Sequence, residues 1–214
     1  MRLLCYNIED GGGERLAGLV AAVNRLDVEA ALLCELNGWS TGRNARGLQG
    51  YLSVNEASAT GYRVGVLTRS RPDSVTPLNA GLHHGALMVR AGGLTLFAVH
   101  LHPFEEARRI AEAKRLAAIC AAIEGPLILG GDLNSPPDGP QPGGAPSILC
   151  QSGLMDPLSG NPGAFTLQTA RSPHDPPWRF DYLLSRGIQW SAVKVLHDPD
   201  HAQLSDHWPL LGEC

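Results

Sequence analysis

Hydrophobic and polar positions along the 214-residue chain switch between a period of two and a period near 3.6. "RLLCYNI" (2–8) reads as an opening strand that ends near Asn7. After a Gly11–Gly13 turn, "ERLAGLVAAVNRL" (14–26) places Leu16, Leu19, Val20, Val23 and Leu26 on one helical face. "VEAALLCEL" (28–36) is apolar on both faces at its centre, which predicts an interior strand ending at Glu35. Residues 37–60 are polar and Gly-rich, a loop with a short strand near Tyr51–Val54. "YRVGVLTR" (62–69) alternates as a strand should. "GALMVRA" (85–91) and "LTLFAVHL" (94–101) flank Gly92-Gly93, a hairpin signal, and the second of them ends at His100.

The second half opens with the clearest helix, "FEEARRIAEAKRLAAICAAI" (104–123). Its first turn is acidic, and Ile110, Ala113, Leu116, Ala117, Cys120 and Ile123 form its apolar stripe. Arg108, Arg109, Lys114 and Arg115 fall to its solvated face. "PLILGGD" (126–132) is a buried strand that stops at Asp132. A Pro/Gly loop, "SPPDGPQPGG", follows and is expected at the rim of whatever Asp132 faces. "APSILCQSG" predicts a short helix, and "RFDYLLS" (179–185), "IQWSAVKVL" (188–196) and "HWPLLGE" (207–213) close the chain as strands.

Two confident helices among so many strands make an α/β (α+β) pattern with mixed sheets and too few crossovers for a doubly wound parallel fold. No repeat, linker or charge block divides it, so one domain over 1–214 is expected. With 43% hydrophobic and 18% charged residues the chain has a globular balance. Its net charge of -4 argues against a broad, non-specific grip on a polyanion but leaves room for a small local patch. The odd set Cys5, Cys34, Cys120, Cys150 and Cys214 contains no CxxC and reads as reduced, mostly buried thiols of a cytoplasmic protein. Neither a signal peptide nor a membrane anchor is expected from the N-terminus, and no apolar stretch approaches a membrane span.

One pattern asks for more than a fold. Asn7, Glu35, His100, Asp132 with Asn134, Asp181, and Asp206 with His207 all sit at or just inside the end of a predicted strand, where rigid scaffolds place chemistry. Singly, each has a plain structural account. Asn7 is a turn former, Glu35 a surface acid, His100 a satisfied core histidine, Asp132 the start of an Asx-turn, and Asp206 a cap. If the chain stays extended, Asp132 and Asn134 share one face and Leu133 turns away.

Taken together and in order, "CYNIED", "LLCELNGW", "FAVHLHP", "LILGGDLNSPP", "WRFDYLLS" and "LSDHWPL" resemble the endonuclease/exonuclease/phosphatase superfamily. These are metal-dependent phosphoesterases that include pancreatic-type deoxyribonuclease, exonuclease-type abasic-site endonucleases and neutral sphingomyelinases. The six stretches span residues 5 to 210. The resemblance implies a four-layer sandwich of two mixed, mainly antiparallel sheets flanked by helices, deoxyribonuclease-like.

It also implies roles. Glu35 would be the principal ligand of Mg²⁺ or Mn²⁺, with Asn7 and Asp206 near the metal or the phosphate. The hard oxygen donors agree, and no Cys/His cluster suggests zinc. His207 with Asp181 would be the histidine–carboxylate pair, serving as base or as phosphate binder. Asp132 would orient or deprotonate the water, Asn134 would donate hydrogen bonds, and His100 would serve a non-bridging oxygen or the leaving group. His83 and His84 stand where some relatives carry a phosphate-contacting Arg. Read as neighbours on a strand, they allow only one of the pair to reach the site; the plain alternative is a solvated loop.

Departures narrow the reading. Abasic-site endonucleases of this type usually carry Tyr where His100 stands. Trp178 and Phe180 match apolar residues that line the sugar pocket there, although core packing is the simpler account. No apolar hairpin for membrane contact is present, which disfavours a sphingomyelinase. The expectation is a phosphoesterase that hydrolyses phosphodiester bonds, a nuclease acting on DNA first and an enzyme for a small soluble phosphate ester second. A membrane or an obligate protein partner is not expected.

Overall fold

The computed structural model describes residues 1–136, 143–173 and 175–214. In chain order it contains β1 (Arg2–Asn7), α1 (Leu16–Arg25), β2 (Ala30–Cys34), β3 (Gly42–Arg43), β4 (Tyr51–Val54), β5 (Gly65–Thr68), β6 (Ser74–Leu78), β7 (Ala86–Ala91) and β8 (Leu94–His100). It continues through α2 (Glu106–Ala121), β9 (Leu127–Asp132), α3 (Ala145–Gln151), β10 (Asp181–Arg186), β11 (Ala192–Val195), α4 (Pro199–Ala202) and β12 (Leu210–Glu213). A 3-10 stretch, Asp10–Arg15, occupies the predicted Gly turn.

The strands form two sheets, ordered β11-β12-β1-β2-β5-β4-β3 and β10-β9-β8-β7-β6. Only β1–β2 and β8–β9 pair in parallel, and each pair is separated in sequence by one of the two longer helices. Every other strand pair is antiparallel. The expected sandwich is therefore the observed one.

Three apolar clusters make its layers. Leu3, Cys5, Leu32, Val66, Val89, Leu96, Ile128, Leu183 and Leu210 fill the space between the sheets. Leu4, Tyr6, Leu33 and Leu67 meet Leu19 and Val23 of α1 on the outer face of the larger sheet. Phe97, Val99, Leu129, Tyr182 and Leu184 meet Ala113, Leu116 and Cys120 of α2 with Leu149 of α3 on the outer face of the smaller one. Buried on both faces, β2 and β9 read as unbroken apolar runs for this reason.

Strand β6 was not anticipated. "SVTPL" carries Pro77, which the middle of a sheet rejects, and β6 lies at the sheet edge where a missing N–H is tolerated. The last three predicted strands are shorter than read, beginning at Asp181, Ala192 and Leu210. Cys5, Cys34 and Cys120 are buried free thiols, Cys150 is half-buried and Cys214 is exposed. Among the described residues no helix is long and apolar enough to cross a membrane.

Candidate active site

Sheet register does the assembly. His100, the last residue of β8, pairs with Asp132, the last of β9, and Asp132 pairs with Asp181, the first of β10. Three residues far apart in sequence thus lie on one rung at the edge of the smaller sheet. The larger sheet contributes Asn7, the last residue of β1, which pairs with Cys34 at the end of β2. Glu35 follows immediately in a left-handed conformation, φ 62°. The strand predicted to reach Leu36 stops earlier, and this turn brings the Glu35 carboxylate to the Asn7 amide.

Two glycines before Asp132 explain the spelling "LILGGD". A Cβ on Gly130 would stand 2.7 Å from Leu32 of the opposite sheet, and one on Gly131 only 1.8 Å from the Val99 carbonyl oxygen. Gly131 also has φ +145°, open in practice to glycine alone. Beyond Asp132 the chain does not stay extended. Asn134 has φ 48° and its N–H donates to Asp132 Oδ1 at 2.8 Å, an Asx-turn. The plain account of Asp132 and the functional one hold together: the turn, rather than strand alternation, aims both side chains at the cleft, while Leu133 packs under the smaller sheet. Asn134 Nδ2 is also anchored, donating to the Leu101 carbonyl at 3.0 Å.

Asp132 Oδ2 is the centre of the site. Asn7 Nδ2 donates to it at 3.2 Å and to Glu35 Oε1 at 3.1 Å. His100 Nε2 and His207 Nε2 stand 3.6 and 3.7 Å from the same oxygen. Burial chiefly, then the Asp181 and Glu35 charges, push the Asp132 carboxyl up to about 7, against the opposing pull of His207. Burial likewise raises Glu35, although the Asp10 N–H and Asn7 stabilise its charge. His100, 4% exposed, is pushed well below the usual histidine range by burial and by His84, so it is neutral.

His207 behaves oppositely. Its Nδ1 meets Asp181 Oδ2 at 2.6 Å. Burial disfavours its charge, but Asp181 with Asp132 and Asp206 outweighs burial and raises its pKa to about 10. The loop that carries it is pinned: Ser205 Oγ donates to the Asn7 carbonyl and receives the His207 N–H, and the Asp206 N–H donates to Glu9 Oε2 at 3.1 Å. Glu9 in turn holds Arg171 through two hydrogen bonds, at 2.6 and 2.7 Å, and Arg15 at 3.1 Å. Arg171 lowers the Glu9 pKa. Arg171, the cation tied to the loop beside the cleft, is thus engaged by a carboxylate.

His83 and His84 both line the cleft, which corrects the expectation that only one would. They lie in a bend before β7 rather than on the strand, so alternation does not separate them. The rings of His102, His83, His84 and His100 form a row with centroids 4.3, 4.5 and 4.4 Å apart. Thr60 bonds His84 Nδ1 at 2.7 Å, and burial first, then His83, lowers His84 to about 4. The row is mounted on one carboxylate. Buried Glu112, from α2, accepts the His83 and His102 N–H groups at 2.5 and 2.7 Å. His102 Nδ1 accepts the N–H groups of Phe104 and Glu105, which fixes the turn that leads into α2.

Sequence reasoning missed Glu9, Glu112, Thr60, Tyr62, Phe104, Leu167 and Ser172. A trace of Glu112 was visible, as a lone acid beside Ala113 on the buried face of α2. Trp178 is 44% exposed and packs edge-on against Phe180, which lines the cleft, so core packing is not their role. Of the "SPPDGPQPGG" loop, residues 137–142 lie outside the described residues.

The cleft encloses about 410 Å³ and contains Glu35, His100, Asp132, Asn134, Asp206 and His207. Its lining carries no Lys or Arg among the described residues. The half-buried Glu35 carboxylate, which lines the cleft and has no salt-bridge partner among the described residues, fits a divalent cation. No three His, Cys, Asp or Glu side chains among the described residues converge to enclose an ion.

A two-sheet sandwich with carboxylates, histidines and an amide on its strand ends defines a class of phosphoester hydrolases. The chain belongs to the Endonuclease/Exonuclease/phosphatase family, which it matches over residues 4–207. Members of this family are hydrolases of phosphoester bonds that generally use divalent metal ions. No curated protein sequence matches the chain. In fold it is similar to a functionally unknown conserved protein from Enterococcus faecalis V583, with TM-score 0.73, 17% identity, and coverage of 100% of this chain and 98% of that one. It is similar as well to an endonuclease/exonuclease/phosphatase family protein from Leptotrichia buccalis C-1013-b, with TM-score 0.69, 14% identity and the same coverage.

Proposed function

We propose that the protein is a divalent-metal-dependent phosphoesterase that hydrolyses phosphodiester bonds in this cleft. The observation that carries the reading is Asp132, buried, raised toward neutrality, and facing two histidines that differ in charge. Glu35, with Asp206 and Asn7 beside it, would hold Mg²⁺ or Mn²⁺, which would supply positive charge for the phosphate. Asn7, saturated by Glu35, Asp132 and the Glu9 N–H, acts chiefly by holding the two carboxylates in place.

Asp132 Oδ2 takes the proton of the attacking water as its oxygen bonds to phosphorus. A carboxylate with a pKa near 7 suits that work at neutral pH. The imidazolium of His207 is oriented by Asp181 and offers its Nε2–H to the phosphate. This favours phosphate binding over base catalysis for His207. Neutral His100 donates its Nε2–H to a non-bridging oxygen, His83 and His84 extend the same wall toward the ester, and Asn134 positions the water with its remaining amide hydrogen. The departing oxygen takes its proton from solvent.

DNA is the substrate that the resemblance puts first. A specific observation favours the second reading, a small soluble phosphate ester: a nucleic-acid strand is held through several phosphate contacts to Lys and Arg, and the cleft lining has none among the described residues. Assays with bis(p-nitrophenyl) phosphate, p-nitrophenyl phosphate, plasmid and an abasic oligonucleotide, each with Mg²⁺, Mn²⁺ or EDTA, test the proposal. Diester hydrolysis that stops in EDTA is expected. Turnover that survives EDTA would sink the metal mechanism, and turnover of monoesters alone would make the protein a phosphatase.

A further inference from the structure

The two ends of the reactive rung carry more than chemistry. Phe180 precedes Asp181 at one end and lines the cleft. At the other end Tyr62 packs 5.2 Å from His84 and 6.5 Å from His100, ring centre to ring centre. Phe104 follows His102, touches its ring edge-on, and is 87% exposed while lining the same cleft. Hydrophobic burial does not account for a Phe so exposed, and an aromatic face at a cleft mouth is a surface for a flat group.

Charge points the same way. The lining offers the carboxylates of Glu35, Asp132 and Asp206, the rings of His83, His84 and His100, His207 already bonded to Asp181, and, among the described residues, no guanidinium or ammonium. Beyond the single phosphate that a metal and His207 would serve, a polyanion would find no cation among the described lining residues to hold its next phosphate. We propose that the cleft selects a small, singly charged phosphodiester bearing a flat apolar group that stacks on Phe104 and Tyr62, in preference to a nucleic-acid strand. The inference rests on the phosphoesterase reading of the same cleft.

Competitive inhibition of Mn²⁺-dependent bis(p-nitrophenyl) phosphate hydrolysis tests it. The probes are phenyl methylphosphonate, ethyl methylphosphonate and a short DNA duplex at physiological salt. The phenyl compound should inhibit about tenfold more strongly than the ethyl one, the size of one aromatic contact. Phe104→Ala and Tyr62→Ala, at exposed positions where folding is not at risk, should each shrink that ratio toward one. Equal inhibition by the two phosphonates, stronger inhibition by DNA than by the phenyl compound, or a ratio unchanged in both variants would overturn the inference alone. No Mn²⁺-dependent turnover of the diester by the wild-type protein would remove the phosphoesterase reading and the inference with it.

Discussion

The floor and the mouth of the cleft are built in different ways. On the floor, His100, Asp132 and Asp181 occupy one rung of a sheet, and Asn7 ends a strand of the other. Their positions follow from strand register, which cannot slip without turning a buried face to water. At the mouth, Tyr62, His83, His84, Phe104 and Ser172 come from bends and loops, and their placement depends on individual side-chain bonds such as those of Thr60 and Glu112. The contrast teaches a division of labour: reaction geometry is fixed by the sheets, and substrate choice is left to segments that can vary without disturbing them.

The largest expected effect breaks the floor chemically while leaving it standing. Asp132→Asn should lower kcat by about 10²-fold or more, and His207→Ala by a similar factor, with each protein still folded. In EDTA the gain from removing a buried charge opposes the loss of an acceptor, since Asp132 takes the Asn134 N–H on Oδ1 and the Asn7 amide on Oδ2. A near-wild-type rate in either variant would misplace the chemistry.

Next comes the backbone under the floor. A methyl group on Gly131 would overlap the Val99 carbonyl at 1.8 Å and demand a φ that alanine avoids. Gly131→Ala should cost roughly 3 kcal/mol or more of stability in urea unfolding, or displace Asp132 enough to abolish turnover. Gly61, at φ +80° with open space around it, sits beside Tyr62 in the mouth. Gly61→Ala should cost only about 1 kcal/mol. Equal losses at the two positions would erase the distinction between floor and mouth.

The same distinction governs what the sequence made legible. Strand ends announce themselves, because an apolar run of fixed period stops where the chain leaves the core; Asn7, Glu35, His100 and Asp132 were visible for that reason. Periodicity carries no such signal in loops. His83 and His84 were read as strand neighbours when they lie in a bend, and Phe104 looked like the first residue of a helix that starts at Glu106. The bond from Arg171 to Glu9 joins residues too far apart in sequence for any local pattern to suggest it. Strand β6 was hidden by Pro77, since propensity does not say which strand will lie at an edge.

Glu112 is where the mouth is fastened to a rigid element, so it tests the join. Its two carboxylate oxygens receive the N–H groups of His83 and His102. In Glu112→Gln one oxygen becomes an NH₂ that faces an N–H donor, and one loop must let go. A stability loss of about 1.5–3 kcal/mol is expected. KM should rise several-fold while kcat changes less, because Asp132 and His207 do not depend on this carboxylate. A fall in kcat at constant KM would mean that the histidine row belongs to the floor.

The smallest effect should come from the ion pair outside the cleft. Arg171 makes a two-bonded contact with Glu9, yet its side chain is 36% exposed, so solvent screens much of the attraction. Glu9 keeps Arg15 and the Asp206 N–H after Arg171 is gone. Arg171→Ala should therefore lower stability by less than about 1 kcal/mol and kcat by less than about threefold, with the stability difference fading at high salt. A tenfold loss of kcat/KM that salt does not abolish would show Arg171 leaving Glu9 to serve the substrate. The cleft would then have the cation that its lining lacks, and the case against a nucleic-acid strand would weaken.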